Sequence, residues 1–147
     1  MKISRLADYA VLICCHLAAQ KDCLCNVTAL AEETNLGGAT VSKVMKTLSK
    51  AGIVNSCRGV NGGYALATPP YAISVCNIVE AIDGPIALTN CLNDKHEGCE
   101  ISQQCSIHPQ WSKLNIAVRR AFKDLALSDI MPAEDVPPMQ IKRSAKA

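Results

Sequence analysis

Residues 35–38, with the sequence NLGG, constrain the fold of this chain more than any other feature. They separate two segments whose apolar residues have helical spacing, and paired glycines are typical of a break between helices. The first segment covers residues 28–33. The second runs from about residue 39 to residue 51 and is followed by Gly52 as a stop signal. A short helix, a glycine-containing turn and a second helix form the helix-turn-helix pattern.

A glycine-rich hairpin is predicted immediately after the second helix. The short segments 53–56 and 64–66 have the composition of strands, and residues 58–63 (RGVNGG) form a tip that tolerates positive φ. Residues 68–70 (TPP) end the hairpin. A hairpin that follows a helix-turn-helix forms a wing, so the sequence predicts a winged helix-turn-helix domain.

Two further helices complete this domain. One covers residues 4–19, with Ser4 as its N-cap, and the other runs from Ser74 to residue 83, with Gly84 as its stop. The predicted fold class is therefore mainly α: a winged helix-turn-helix with a two-stranded wing, followed by a long C-terminal dimerisation helix.

That C-terminal helix is predicted to run from Pro109 to about residue 127. Its apolar residues recur at alternating steps of three and four, which is the heptad spacing of a helix that packs against a partner helix. These positions are Trp111, Leu114, Val118, Ala121 and Leu125. We therefore expect a homodimer. The proline-containing, basic residues 132–147 are expected to form a flexible tail.

The chain thus divides into a winged helix-turn-helix domain (1–84), a cysteine-containing loop (85–108), a dimerisation helix (109–131) and a tail (132–147). No secretory signal and no apolar stretch of membrane-spanning length is recognisable, which indicates a cytoplasmic protein without a membrane partner. For such a protein, nine cysteines indicate metal or redox chemistry rather than a disulfide framework.

The formal net charge is only +2, so the placement of the basic residues matters more than their sum. Lys43, Lys46 and Lys50 form one stripe on the second helix of the helix-turn-helix, which contains no acidic residue. Such a stripe can neutralise DNA phosphates, although alone it would indicate an ordinary solvated face. Its coincidence with a wing favours a double-stranded DNA operator as partner. The candidate DNA contacts are Thr40, Ser42, Lys43, Lys46, Lys50, Arg58 and Asn61.

A second group of functional residues lies in the loop. Cys91, Cys99, Cys105 and His108 follow one another in a polar segment that cannot supply a hydrophobic core. Structural zinc sites favour shorter cysteine spacings, so the wide gaps favour an iron–sulfur cluster, with zinc as the alternative. His108 is the expected fourth ligand, and Asp8, from the partner subunit, is its main rival. His96, Glu97 and Glu100 are weaker alternatives.

The remaining cysteines have simpler interpretations. Cys14, Cys15 and Cys76 lie in apolar patterns and are expected in the core, and Cys57 lies on a wing strand. The chain lacks a Cys-x-x-Cys motif, so a thiol-redox enzyme is not predicted, and we expect no enzymatic activity.

Together these residues resemble the Rrf-type family of winged-helix regulators, which includes the iron–sulfur regulator IscR and the nitric-oxide sensor NsrR. The resemblance runs from Met1 to about Met131 and is most specific at residues 4–10 (SRLADYA), at residues 58–66 (RGVNGGYAL) and in the three-cysteine loop. Residues 82–91 (IDGPIALTNC) look like the subgroup that regulates SUF iron–sulfur cluster assembly genes.

The resemblance implies a homodimer whose long C-terminal helices cross, with each cluster near the partner's DNA-binding domain. In the IscR branch, a histidine three residues after the last cysteine completes a [2Fe-2S] site, and His108 matches that position. The first cysteine gap is seven residues here and five in that branch. The NsrR branch uses an N-terminal aspartate of the other subunit and a [4Fe-4S] cluster, and Asp8 matches that pattern.

The function expected from these residues and this resemblance is cluster-dependent repression of SUF-type genes, with [2Fe-2S] favoured over [4Fe-4S]. The alternatives are a nitric-oxide or redox-sensing repressor of the same family, and a zinc-stabilised constitutive DNA-binding protein.

Overall fold

The computed structural model describes residues 1–21, 23–93, 99–101 and 103–133. The described part contains six α-helices and one two-stranded antiparallel sheet, the mainly α winged-helix architecture predicted from the sequence. The elements are α1 (Arg5–Ala19), α2 (Val27–Thr34), α3 (Gly38–Lys50), β1 (Val54–Cys57), β2 (Gly63–Leu66), α4 (Val75–Asp83), α5 (His108–Asp124) and α6 (Leu127–Ile130), with 3-10 turns at Pro70–Ala72 and Asn90–Leu92.

Side-chain caps determine where three of the helices begin. The side-chain oxygens of Ser4, Asn26 and Ser74 each accept a hydrogen bond from the backbone N–H three residues later, at 2.8–3.1 Å. Ser4 and Ser74 were the predicted caps. The helix α2 starts one residue before the predicted Thr28, because Asn26 caps it.

The turn of the helix-turn-helix depends on one residue with positive φ. Asn35 follows α2 with φ of 57°, the left-handed conformation that asparagine tolerates better than most residues. This conformation ends α2 and directs the chain into α3. Val44 and Leu48 of α3 are completely buried against the rest of the domain, so one face of α3 is fixed and the opposite face remains in solvent.

The wing is held to the domain along the outer edge of β2. The backbone groups of Cys25 and Tyr64 exchange two hydrogen bonds of 2.9 and 2.8 Å, which join the segment before α2 to this strand. A side chain at Gly63 would lie 2.7 Å from the Cys25 carbonyl oxygen, so only glycine permits this close approach. The wing root is therefore attached to the helix-turn-helix at a point remote in sequence from the hairpin.

The core of the domain is aliphatic and is shared by several helices. Its largest fully buried side chains are Ile13, Leu30, Met45, Leu48, Ile78 and Leu127. Five of these come from α1 to α4, whereas Leu127 comes from α6, after the long C-terminal helix. The chain therefore returns to the winged-helix core near its end.

This return corrects the predicted end of the C-terminal helix. The helix α5 stops at Asp124, and Leu125 is extended and lies outside the helical heptad pattern. The Leu125 carbonyl accepts a 2.9 Å hydrogen bond from Val75, and the N–H of Leu127 donates a 2.8 Å bond to Ile73. The helix breaks because this pairing buries Leu127 in the core, which a continuous helix would not allow.

The helix α5 itself is poorly covered within one chain. None of its residues is buried by the described part of the protein, and Leu114 and Ile116 are 48% and 65% exposed. The predicted tail lies outside the described residues from position 134 onward. No described helix combines the length and the apolar character that crossing a membrane would require.

Candidate nucleic-acid interface and metal centre

The solvent face of α3 carries the predicted basic stripe. Lys43, Lys46 and Lys50 are all exposed, on the side of the helix opposite its buried face. The hydroxyl of Thr47 donates to the Lys43 carbonyl at 3.1 Å and is thus partly engaged within the helix. With no carboxylate in α3 to neutralise them, the three ammonium groups present an uninterrupted positive surface.

The wing brings an arginine to the same surface. Lys46, Lys50 and Arg58 line one groove between the C-terminal half of α3 and the root of the hairpin, and Cys57 lines it as well. A second groove on the other side of α3 is lined by Lys43 together with Lys46 and Lys50. The fold thus brings basic residues of the helix and the wing together in the first groove, and Lys43 extends the basic surface into the second.

The other predicted DNA contacts lie apart from this groove. Thr40 is half-buried in the first turn of α3, and the neighbouring Ser42 is exposed. Asn61 is exposed at the wing tip beside Val60, which is also fully accessible. These three polar residues therefore flank the basic groove, at the start of the helix and at the end of the hairpin.

The first of the predicted metal ligands is buried. Cys91 lies in the 3-10 turn after α4, and its sulfur is 3.1 Å from the Thr89 hydroxyl. The thiol is therefore oriented by a local contact, although it is largely withdrawn from solvent.

The other predicted ligands are more accessible. Cys99, Cys105 and His108 are each half-buried, and the N–H of His108 donates to the Cys105 carbonyl at 3.3 Å. This bond places the histidine in the first turn of α5, three residues after the last cysteine. Asp8, the alternative ligand, is exposed in the first turn of α1.

The structure does not gather these groups into one centre within a single chain. Across residues 1–21, 23–93, 99–101 and 103–133, no three cysteine, histidine or acidic side chains lie close enough together to hold a metal ion. The chemistry of the donors nevertheless fits an iron–sulfur cluster, because Cys91, Cys99 and Cys105 are all free thiols.

Three other cysteines are buried outside the cysteine-containing loop. Burial raises the pKa of Cys14 far above the ordinary thiol value, and burial also raises the pKa of Cys25 and of Cys76. Cys14 and Cys76 pack in α1 and α4, and Cys25 lies in the segment that pairs with β2, so all three belong to the winged-helix domain. The predicted core positions of Cys14 and Cys76 are confirmed, whereas Cys15 is only half-buried.

One polar network beside the cysteine segment was missed from the sequence. Glu80 of α4 forms a bidentate ion pair with Arg119 of α5, at 2.6 and 2.9 Å. The hydrogen bond from Arg119 lowers the pKa of Glu80, and a backbone bond from Ile86 lowers it further, against the opposing effect of burial. The sequence signal for this network is limited to the four-residue spacing of Asn115 and Arg119, which puts both side chains on the same face of α5.

Comparison with known proteins gives one consistent result. A family model described as Rrf2, iron-dependent transcriptional regulator, matches residues 3–133. The chain is similar to the HTH-type transcriptional regulator IscR of Vibrio cholerae, with 29% identity over 92% of this chain and 78% of that protein. It is also similar to the HTH-type transcriptional regulator NsrR of Halalkalibacterium halodurans, with 27% identity over 92% of this chain and 93% of the relative.

A solved structure extends the similarity to the fold. CymR, the global cysteine regulator of B. subtilis, superposes with a TM-score of 0.68 at 28% sequence identity, covering 88% of this chain and 95% of CymR.

Proposed function

Because this chain belongs to the Rrf2 family of transcriptional regulators, we propose that it is a cytoplasmic, homodimeric repressor of SUF-type genes whose DNA binding depends on an iron–sulfur cluster. It is a transcription regulator and not an enzyme. In this proposal a DNA-binding domain (1–84) is followed by a ligand segment (85–108), a dimerisation region (109–131) whose long helix ends at Asp124, and a tail (132–147).

The placement of the free thiols carries this proposal. Cys91, Cys99 and Cys105 lie outside the hydrophobic core cluster, in the segment that joins the winged helix to α5. The similarity of residues 82–91 to the SUF-regulating subgroup supports the choice of target genes. In this proposal a ligand held in this segment lies between the winged helix and α5, so its loss changes the connection between them.

On the DNA side, Lys46, Lys50 and Arg58 would contact phosphates or the minor groove from their shared groove. Thr40 and Ser42, in the first turns of α3, would contact base edges in the major groove. In a two-fold dimer these contacts repeat, so the operator should be a pseudo-palindrome with half-sites about 34 Å apart or a multiple of that distance. Lys43 and Asn61 would add contacts at the edges of this surface.

On the ligand side, Cys91, Cys99 and Cys105 would supply three thiolates, and His108 the fourth donor. A bound cluster, with [2Fe-2S] favoured over [4Fe-4S], supplies a redox-active iron centre. His108 is a neutral donor and leaves one corner more weakly held than a thiolate would. The partner subunit's Asp8 is the alternative donor for that corner.

A second candidate function is regulation by cysteine supply or thiol redox state, without a cluster. It is favoured by the separation of the described thiols and by the similarity to the global cysteine regulator CymR. The two candidates differ in whether the purified protein carries iron and sulfide.

The test is anaerobic purification followed by absorbance, iron and sulfide analysis and Mössbauer spectroscopy. Serine at Cys91, Cys99 or Cys105 should give nearly colourless protein, whereas Cys57→Ser, at an exposed cysteine outside the segment, should keep the colour. A colourless parent protein, or one that contains only zinc, would refute the cluster proposal. His108→Ala and Asp8→Ala then identify the fourth ligand, since only the true donor shifts the spectrum when it is replaced.

A further inference from the structure

The segment that leads to Cys91 is held by side chains of two helices. On α5, the Asn115 amide donates to the Ile86 carbonyl at 2.9 Å and accepts from the Leu88 N–H at 2.9 Å. An amide side chain has one donor group and one acceptor group, so it satisfies both backbone positions at once. Neither aspartate nor leucine could make this pair of bonds.

The other side of the same segment is bound from α4. The Glu80 carboxylate accepts from the Ile86 N–H at 3.2 Å, and the same oxygen accepts from Arg119 at 2.6 Å. Both backbone groups of Ile86 are therefore engaged, its N–H by α4 and its carbonyl by α5. Arg119 joins the two helices directly, so the network is closed.

Cys91 follows this anchored segment closely. Only two residues separate Leu88 from Cys91, which limits the reach between them to roughly 10 Å of extended chain. Thr89, one of those two residues, contacts the Cys91 sulfur at 3.1 Å. The orientation of this buried thiol therefore depends on where residues 86–88 are held.

We propose that Asn115, Glu80 and Arg119 are positioning residues that hold residues 86–88, present the Cys91 thiol, and couple the cysteine segment to the DNA-binding domain. The role of Cys91 as a ligand rests on the proposed function above. The coupling follows from α4, which packs against both α1 and α3 and whose Glu80 binds Arg119 of α5. A displacement of residues 86–88 therefore acts on the helix that supports the basic stripe.

The test begins with the protein free of iron, so that it does not depend on a cluster. Asn115→Ala removes both amide bonds, and Lys113→Ala, at an exposed position of the same helix, is the matched control. Hydrogen exchange at the Leu88 amide and alkylation of each thiol are measured by mass spectrometry. Loss of the two bonds should speed both Leu88 exchange and Cys91 alkylation about tenfold, and Cys105 alkylation less than about twofold.

Two further variants separate positioning from general destabilisation. Asn115→Asp keeps the acceptor for the Leu88 N–H and should restore its protection, while the Ile86 carbonyl loses its donor. Glu80→Gln keeps an acceptor for the Ile86 N–H but loses the ion pair, and provides a second test if Asn115→Ala does not fold. Unchanged Leu88 exchange and Cys91 reactivity in folded Asn115→Ala would overturn the proposal, as would an equal rise in the reactivity of all thiols.

A final measurement distinguishes this proposal from the proposed function. The parent and Asn115→Ala proteins are supplied anaerobically with iron and sulfide, and their absorbance is followed in air. A parent that remains colourless refutes cluster binding, while the alkylation and exchange results still decide the role of Asn115. If the parent is coloured, Asn115→Ala should lose its colour several-fold faster. Equal rates of loss would show that Asn115 does not position the ligand.

Discussion

The helices α1 and α5 have similar lengths, 15 and 17 residues, but they differ in what covers their apolar side chains. Six residues of α1 are buried by neighbouring elements of the same chain, whereas no residue of α5 is buried by the described part of one chain. Both helices have apolar residues at helical spacing, so the difference arises from their surroundings and not from local pattern.

This difference indicates two sources of stability. The winged helix buries its own core and should fold as a unit whose stability is independent of protein concentration. In the proposed homodimer, a second copy covers the apolar stripe of α5, so the order of this helix should depend on association. Val118, half-buried in one chain, lies at the centre of that stripe.

The largest effect is expected from a substitution that prevents the association of α5 but leaves the winged helix folded. Val118→Glu would bury an unpaired charge between partner helices, at a cost of about 3–5 kcal/mol of dimerisation free energy. Sedimentation should show monomers that no longer bind the full operator, while circular dichroism retains the helical signal. The exposed neighbour Ala117 offers the control Ala117→Glu, which should remain dimeric. A stable Val118→Glu dimer would place the interface elsewhere.

A substitution in the core of the winged helix should lower stability without affecting its dependence on protein concentration. Leu48→Ala removes a completely buried side chain of α3 and should lower the free energy of unfolding by about 2–5 kcal/mol at any protein concentration. Leu114→Ala, on α5, should lower apparent stability only in a concentration-dependent way. Urea unfolding at several protein concentrations measures both. If both variants responded equally to concentration, the two regions would not differ as described.

A smaller effect, on DNA affinity, is expected from substitutions in the basic groove of the winged helix. Lys46→Ala should weaken binding to all DNA sequences and reduce the slope of log affinity against log salt by about 0.9, as expected for one lost phosphate contact. Arg58→Ala should chiefly reduce discrimination at A·T-rich flanks. DNA titrations at several salt concentrations measure both effects. Unchanged binding by both variants would show that this groove does not contact DNA.

The smallest effect concerns the ion pair between the two regions. The pKa of Glu80 is lowered by its hydrogen bond from Arg119, so the pair stabilises the folded state above about pH 5 and loses this effect as the carboxylate is protonated in acid. The parent should therefore be more stable than Glu80→Gln at neutral pH, and the gap should close as the pH falls through the lowered pKa. Urea midpoints measured across this range provide the check. A gap independent of pH would show that the charge of Glu80 contributes nothing.

The candidate site could be predicted from sequence only where its residues act locally. The lysine stripe follows from spacing within α3, and the cysteine segment from its polar composition. The groove shared by Lys46 and Arg58 requires the fold, and so does the binding of residues 86–88 by Asn115. These contacts join positions 12 or more residues apart, and no local pattern specifies which of several polar side chains will meet.

The fold shows the same division. The sequence by itself determined the helix-turn-helix, the wing and the start of α4, because Asn35, the glycines and the cap Ser74 act within a few residues of their positions. Only the tertiary structure decided that α5 ends at Asp124 and that Leu127 returns to the core. Where the helix ends, residues 125–127 give up helical hydrogen bonds and pair instead with a segment some fifty positions earlier. This arrangement is stabilised by the burial of Leu127, which the spacing of apolar residues along one helix cannot reveal.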